Sequence, residues 1–214
     1  MIFVARSAKP QILKKNESGW LADLKTAANP LAKEKAAKKY AHREIRESLV
    51  AMFHGKCAYC ESYVKHVGYP NIEHFRPRNG TRGNAALPFP WDNLLLSSTV
   101  CNGPQYKSDK FPNQAEGGPL LNPCADNPDD HLEFHYDPVA KIAAVLYKTT
   151  RGKLTEEIIG LNRLDLKIYR SKHVRRIAAL AKLAGSYSEA ADLLSEATKS
   201  DADYSRFAIL FISG

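Results

Sequence analysis

The sequence has no apolar run approaching the roughly 18 residues that a membrane-spanning helix needs. Its longest strongly apolar stretch, Phe207-Ala-Ile-Leu-Phe-Ile, reads as a buried last turn. The apolar part of Met1-Ile-Phe-Val-Ala-Arg is too short for a signal peptide, so a cytoplasmic protein is expected. Cysteine is scarce, with four in the chain. Without an export signal these argue against a disulfide framework, and Cys57 and Cys60, at CxxC spacing, argue for metal ligation. Internal repeats and low-complexity tracts are also missing, which excludes a repeat architecture. Acidic residues are in deficit, 23 against 31 Lys and Arg, for a formal charge of +8. A basic surface concentrates polyanions and releases their counterions on contact, so nucleic acid fits as a partner, and an acidic protein fits too.

What is present begins with enough apolar residues, 44% of 214, to bury a core. Residues 1–15 read as an extended lead-in. Trp20, Leu21, Leu24 and Ala28 recur at helical spacing and predict a helix over 18–28, after which Asn29-Pro30 reads as a cap with proline at the first helical position. Ala37, Ala41, Ile45, Leu49 and Phe53 form an i, i+4 stripe that predicts a basic helix over 31–53, ended by Gly55. Its lysines could track phosphates but are read as a solvated face. Residues 63–67 and 71–75 can pair as strands around a Gly68-Tyr69-Pro70 turn, 79–90 reads as a loop, and 93–102 as a helix stopped by Gly103-Pro104. A loop over 111–130 leads to a hairpin, 132–136 with 142–147, turning near Asp137-Pro138. Helices follow at 155–159, capped by Thr155, then at 163–183, 188–199 and 201–212.

Chemistry is concentrated between Cys57 and Pro112. Cys57-Ala-Tyr-Cys60 is followed by Ile72-Glu-His-Phe-Arg-Pro77, by Asn93-Leu94, and by Cys101-Asn102 with lysines soon after. This order resembles the HNH endonucleases of the ββα-metal fold. Among these, Cys-Ala-Tyr-Cys-Glu, Ile-Glu-His-Phe-Arg-Pro, Trp91-Asp-Asn-Leu, Lys110-Phe-Pro, Leu120-Leu-Asn-Pro and Leu161-Asn-Arg are similar to the PtuB-like HNH subunits of Septu and retron-associated anti-phage systems. The resemblance implies an α+β fold in which a ββα-metal nuclease core with a zinc knuckle, over 55–150, lies between helical segments at 1–54 and 151–214. It implies hydrolysis of phosphodiester bonds, in DNA with RNA as the alternative substrate, by a nuclease working with an ATPase subunit.

The site roles follow from the resemblance. His74 is the expected general base, since an imidazole with a pKa near 6.5 accepts a proton at neutral pH. Asn93 is expected to orient the base and its loop; alone it reads equally as a helix cap. Glu73 and Asn102 are the expected ligands of a catalytic Mg²⁺ or Mn²⁺. Adjacent strand residues point to opposite faces, so either the strand is bulged at Glu73 or Glu73 does not reach the metal. Arg76, Arg78, Lys107 and Lys110 are expected phosphate contacts, with Arg82 a further candidate. Relatives place a second CxxC near the Asn-Leu pair to complete a tetrahedral zinc. Here Ser98 stands at one of those positions, leaving Cys57, Cys60 and Cys101, with Cys124 taken as the fourth ligand and His66 or water as alternatives. The competing function is a zinc-knuckle binding module without catalysis. A CxxC thiol oxidoreductase is disfavoured, because no βαβ pattern surrounds Cys57.

Overall fold

The computed structural model describes residues 1–64, 70–79, 82–84 and 87–212 as a mixed α+β protein with two small antiparallel sheets. Helix α1 (Gln11–Thr26) starts well before the expected 18, because Leu13 is fully buried and joins Leu24 on the inward face. Asn29 caps α2 (Pro30–Ala37) as expected, its Oδ1 accepting from Ala32 N at 2.9 Å. The long basic helix expected over 31–53 is interrupted. A 3₁₀ turn over Lys38–Ala41 precedes α3 (Arg43–Met52), and His42 caps α3 by accepting from Glu44 N at 3.2 Å. Ala37, Ile45, Leu49 and Phe53 of the expected stripe are buried, but Ala41, in the 3₁₀ turn, is exposed. Gly55 ends the segment at φ +72°, and a Cβ there would lie 2.7 Å from the Tyr63 ring.

The first sheet departs most from expectation. Strand β1 (Asn71–His74) pairs with β2 (Leu94–Ser97) in the register Asn71↔Ser97, Ile72↔Leu96, Glu73↔Leu95 and His74↔Leu94. Residues 93–102 therefore do not form a helix. Leu94, Leu95 and Leu96 are all fully buried, so both faces of the strand are covered, and a contiguous apolar run cannot be assigned by periodicity. A 3₁₀ turn over Trp91–Asn93 feeds β2, and irregular turns follow it. In place of the expected 63–67 strand, Tyr63 makes an isolated bridge with Lys56, while 65–69, with His66, lie outside the described residues.

The second sheet is the expected hairpin, β3 (Leu132–Asp137) with β4 (Ile142–Tyr147). Helix α4 (Thr150–Ile159) is capped by Thr149, not Thr155. Thr155 is buried within it and accepts from Leu121 N at 2.9 Å. Then come α5 (Leu164–Leu183), α6 (Ser188–Ala197) and a short α7 (Ser205–Ile209), which begins only after Tyr204 adopts a left-handed conformation. Among the described residues the main apolar core runs from Leu13 through Tyr59 and Leu96 to Leu161, Val174 and Phe207, and a smaller cluster joins Ile177, Leu194 and Ala208. Among the described residues no helix is long and apolar enough to cross a membrane.

Candidate metal centre and histidine site

The knuckle is built against the first sheet. Cys57 N donates to Ser62 O, Glu61 N to Cys57 O, and Ala58 N to Leu96 O at 2.8 Å, so the CxxC loop hangs on the edge of β2. Cys101 arrives in the turn after β2, its N donating to the Ser98 hydroxyl at 3.0 Å. Ser98 thereby acts as a turn cap. The Sγ atoms of Cys57, Cys60 and Cys101, all buried, lie within 4.8 Å of one another. Tetrahedral zinc with Zn–S bonds of ~2.3 Å spaces its sulfurs by about 3.8 Å, so the trio could form three corners of such a site. Burial raises the Cys57 thiol, but hydrogen bonds from Cys101 and Cys60 outweigh it and hold Cys57 well below the usual thiol range.

Cys124 is not part of this group, which corrects the four-cysteine expectation. It sits in a turn where its N donates to Asn122 Oδ1 at 3.0 Å, and burial pushes its thiol pKa up against the pull of the Arg6 cation. The residue sequence reasoning missed is Arg163, whose Nη1 approaches Cys101 Sγ at 3.4 Å. Three thiolates holding a divalent ion would carry one net negative charge, which the guanidinium is placed to balance. The Leu161-Asn-Arg signature was the available clue. Gly160, which ends α4, takes φ +68° against the Tyr106 ring, and the Arg163 guanidinium lies 5.5 Å over that same ring.

His74 ends β1 and is 8% exposed. Its Nε2 lies 3.2 Å from Pro88 O. A carbonyl only accepts, so Nε2 carries the proton and Nδ1 keeps its lone pair. Tyr40 packs edge-on against the ring, with centroids 4.5 Å apart. Burial lowers the imidazole pKa to about 4, and the Arg78 and Lys107 cations act in the same direction. The ring is therefore neutral at pH 7. Asn93 stands at the other end of the same loop: its Oδ1 accepts from Arg76 N at 2.8 Å, and its Nδ2 donates to Arg76 O and Leu87 O. One buried amide thus ties both ends of the connection between the strands that present His74.

Glu73 lies on the other side of the strand. The pairing is regular, with no bulge, and the carboxylate is 3% exposed, ion-paired to Lys107 and abutting the Tyr59 hydroxyl. Burial raises its pKa to about 7, against the pull of Lys107. Glu73 does not fit as a ligand for a hydrated divalent ion shared with His74. Lys107 is equally corrected: it is fully buried, its Nζ also donates to His74 O at 3.0 Å, and it cannot reach a phosphate. Arg78 is bound to Glu34 and Arg82 to Glu116. Arg76 and Lys110 are exposed, and Lys110 caps Gln105 O at 3.0 Å. Asn102 is half-buried, with its N bonded to Ser98 O.

These elements define a mixed α+β protein with a three-cysteine centre able to hold a metal, next to a hairpin that presents a neutral histidine. Septu protein PtuB of Bacillus mycoides (strain KBAB4) is 30% identical to the chain over 205 residues, covering 83% of the chain and 68% of that protein. The chain belongs to the Septu PtuB family. Septu protein PtuB of Bacillus thuringiensis is 32% identical over 127 residues, and there the chain spans under half, 44%, of the relative's length. Septu protein PtuA of Bacillus mycoides (strain KBAB4) contains a segment 28% identical over 158 residues, 21% of its length. No family profile and no solved structure matches the chain.

Proposed function

We propose that this protein is an HNH-type endonuclease hydrolysing DNA phosphodiester bonds as the nuclease of an anti-phage Septu complex. The observation that carries the reading is His74: neutral, its Nε2–H committed to Pro88 O, and Nδ1 left as a proton acceptor at the end of a β-hairpin. In this reading Nδ1 takes the proton of the water that attacks phosphorus. Tyr40 and the Pro88 carbonyl fix the ring plane, and the Asn93 amide holds the loop that carries the carbonyl. Arg76, exposed and pinned through its backbone by Asn93, is the cation best placed along the chain to meet a phosphate.

Two metals enter differently. Zinc fits Cys57, Cys60 and Cys101, with His66 or water completing the set, and it would fasten the knuckle to the turn after β2, beside Arg163 at the N-cap of α5. When bound it supplies structure and no chemistry. The Mg²⁺ or Mn²⁺ implied by the family resemblance is not assigned to Glu73. Asn102 is the remaining candidate ligand. The similarity between this chain and a segment of a PtuA supports association with a larger Septu subunit, for which an ATPase is the expected type. The test is cleavage of supercoiled plasmid and of single-stranded DNA with Mg²⁺ or Mn²⁺, by the chain alone and together with its copurifying partner. A second reading, a zinc-knuckle binding module without catalysis, is favoured by the ammonium that Lys107 places on Glu73.

A further inference from the structure

Away from the histidine, α5, the β3–β4 hairpin and the residues after α7 enclose an open groove of about 830 Å³. Its floor is apolar. Phe134 is buried there, Tyr136 and Phe211 meet with ring centroids 5.7 Å apart, and Ala178, Ala181 and Leu210 complete the apolar lining. Its rim is cationic. Lys141 from the hairpin and Arg175 and Lys182 from α5 are exposed, against a single carboxylate, Glu133. None of the three cations has an ion-pair partner among the described residues.

Helix α5 explains the imbalance. Beyond Asp165 it carries Lys167, Arg170, Lys172, Arg175, Arg176 and Lys182 and no acid. Arg170 is consumed internally, donating to Ala143 O and Leu161 O to dock β4 on the helix. Among the described residues, the side chains of the other five make no hydrogen bond or ion pair of this kind. Unpaired cations around an apolar trough cost the isolated protein electrostatic self-repulsion and offer a partner both desolvated anchors and charge complementarity.

We propose that this groove binds an acidic peptide segment of a partner protein, seating one or two large apolar side chains on Phe134, Tyr136 and Phe211 with its carboxylates on Lys141, Arg175 and Lys182. Duplex DNA is the competing polyanion. It would use the same cations but has no side chain to fill the trough, and its recognition is carried by phosphate contacts rather than by apolar burial.

The experiment is fluorescence anisotropy at physiological salt with the full chain and four labelled probes: a peptide with Asp and Glu flanking Leu and Phe, the same peptide with Leu and Phe replaced by Ser, the same peptide with Asp and Glu replaced by Asn and Gln, and a short DNA duplex. Only the first should bind saturably. Arg175→Glu should weaken it on the order of tenfold or more, because like charges then face each other. Lys182→Glu, on an equally exposed position, gives an independent reading should Arg175→Glu fail to fold. Neither residue belongs to the histidine site, so plasmid cleavage should be unchanged in both, which separates this claim from the nuclease reading. The proposal is overturned by no binding of the acidic, apolar peptide, by binding that survives loss of Leu and Phe, or by charge reversals that release DNA and leave the peptide bound.

Discussion

Replacing Lys107 by Met removes the ammonium shared by Glu73 and His74 O while keeping most of the apolar stem in place. Glu73 is then a buried carboxylate without a counter-ion, and it escapes by holding its proton. Burial already places its pKa at about 7 with Lys107 present. Without Lys107, a rise into the roughly 8–9 range known for buried glutamates is expected, and each unit is worth ~1.4 kcal/mol. The sign follows from linkage: a carboxyl with a raised folded pKa binds its proton more tightly folded than unfolded, so stability falls as pH rises through that window. In both proteins Glu73 is protonated near about pH 5.5, and the variant should lose only ~1 kcal/mol there for the missing hydrogen bond to His74 O. Near about pH 9 it should lose a further 2 kcal/mol, roughly. Urea unfolding of the two proteins at both pH values reads this difference directly. Adding Glu73→Gln to Lys107→Met should remove the pH-dependent part. An equal loss at both pH values, or a double variant with the same pH dependence as the single one, would refute the buried pair as the element joining the knuckle side of the sheet to His74.

Other consequences are more local. Asn93→Ala removes three hydrogen bonds to Arg76 and Leu87, so a loss of about 2–4 kcal/mol is expected in denaturant unfolding; a loss within error of zero would mean the amide does not hold the loop. Protein purified without added zinc should contain about one zinc per chain, retained in Cys124→Ser and lost in Cys101→Ser, and full zinc in Cys101→Ser would displace the site. His74 has a folded pKa near 4, below its usual 6.5. Its contribution to stability, about 3 kcal/mol, is therefore complete above about pH 6.5 and is lost as pH falls toward 4. Comparing wild type with His74→Phe across that range should show a shallower acid limb in the variant, and identical limbs would contradict the buried neutral ring.

The parts of the fold legible in the sequence are those where one face is wet. The β3–β4 hairpin alternates in burial, and α5 begins and ends within one residue of expectation, because each shows the period of its element. The Asn29-Pro30 cap was legible for the same reason. Strand β2 was not, since Leu94-Leu-Leu96 is covered on both sides and carries no period. The knuckle and Cys101 could be read from CxxC spacing and the motif order. Cys124 could not be excluded, because which thiols share the site is decided by where each turn packs. The pleat argument correctly identified the conflict between Glu73 and His74, and the regular register resolves it. Nothing in the sequence distinguishes Lys107, buried on Glu73, from the exposed lysine three residues later, because that difference is made by a loop folding back onto the sheet.

The most direct test of the central claim is plasmid cleavage by His74→Ala beside the wild type, both carrying full zinc and the same far-UV spectrum, over a titration of Mg²⁺ or Mn²⁺ and with the copurifying partner present. Loss of the positioned base should lower the rate by about 10²–10⁴ at every metal concentration while DNA binding persists. Cleavage by His74→Ala at the wild-type rate, or no cleavage by the wild type under any of these conditions, would contradict the assignment of this site as a nuclease centre.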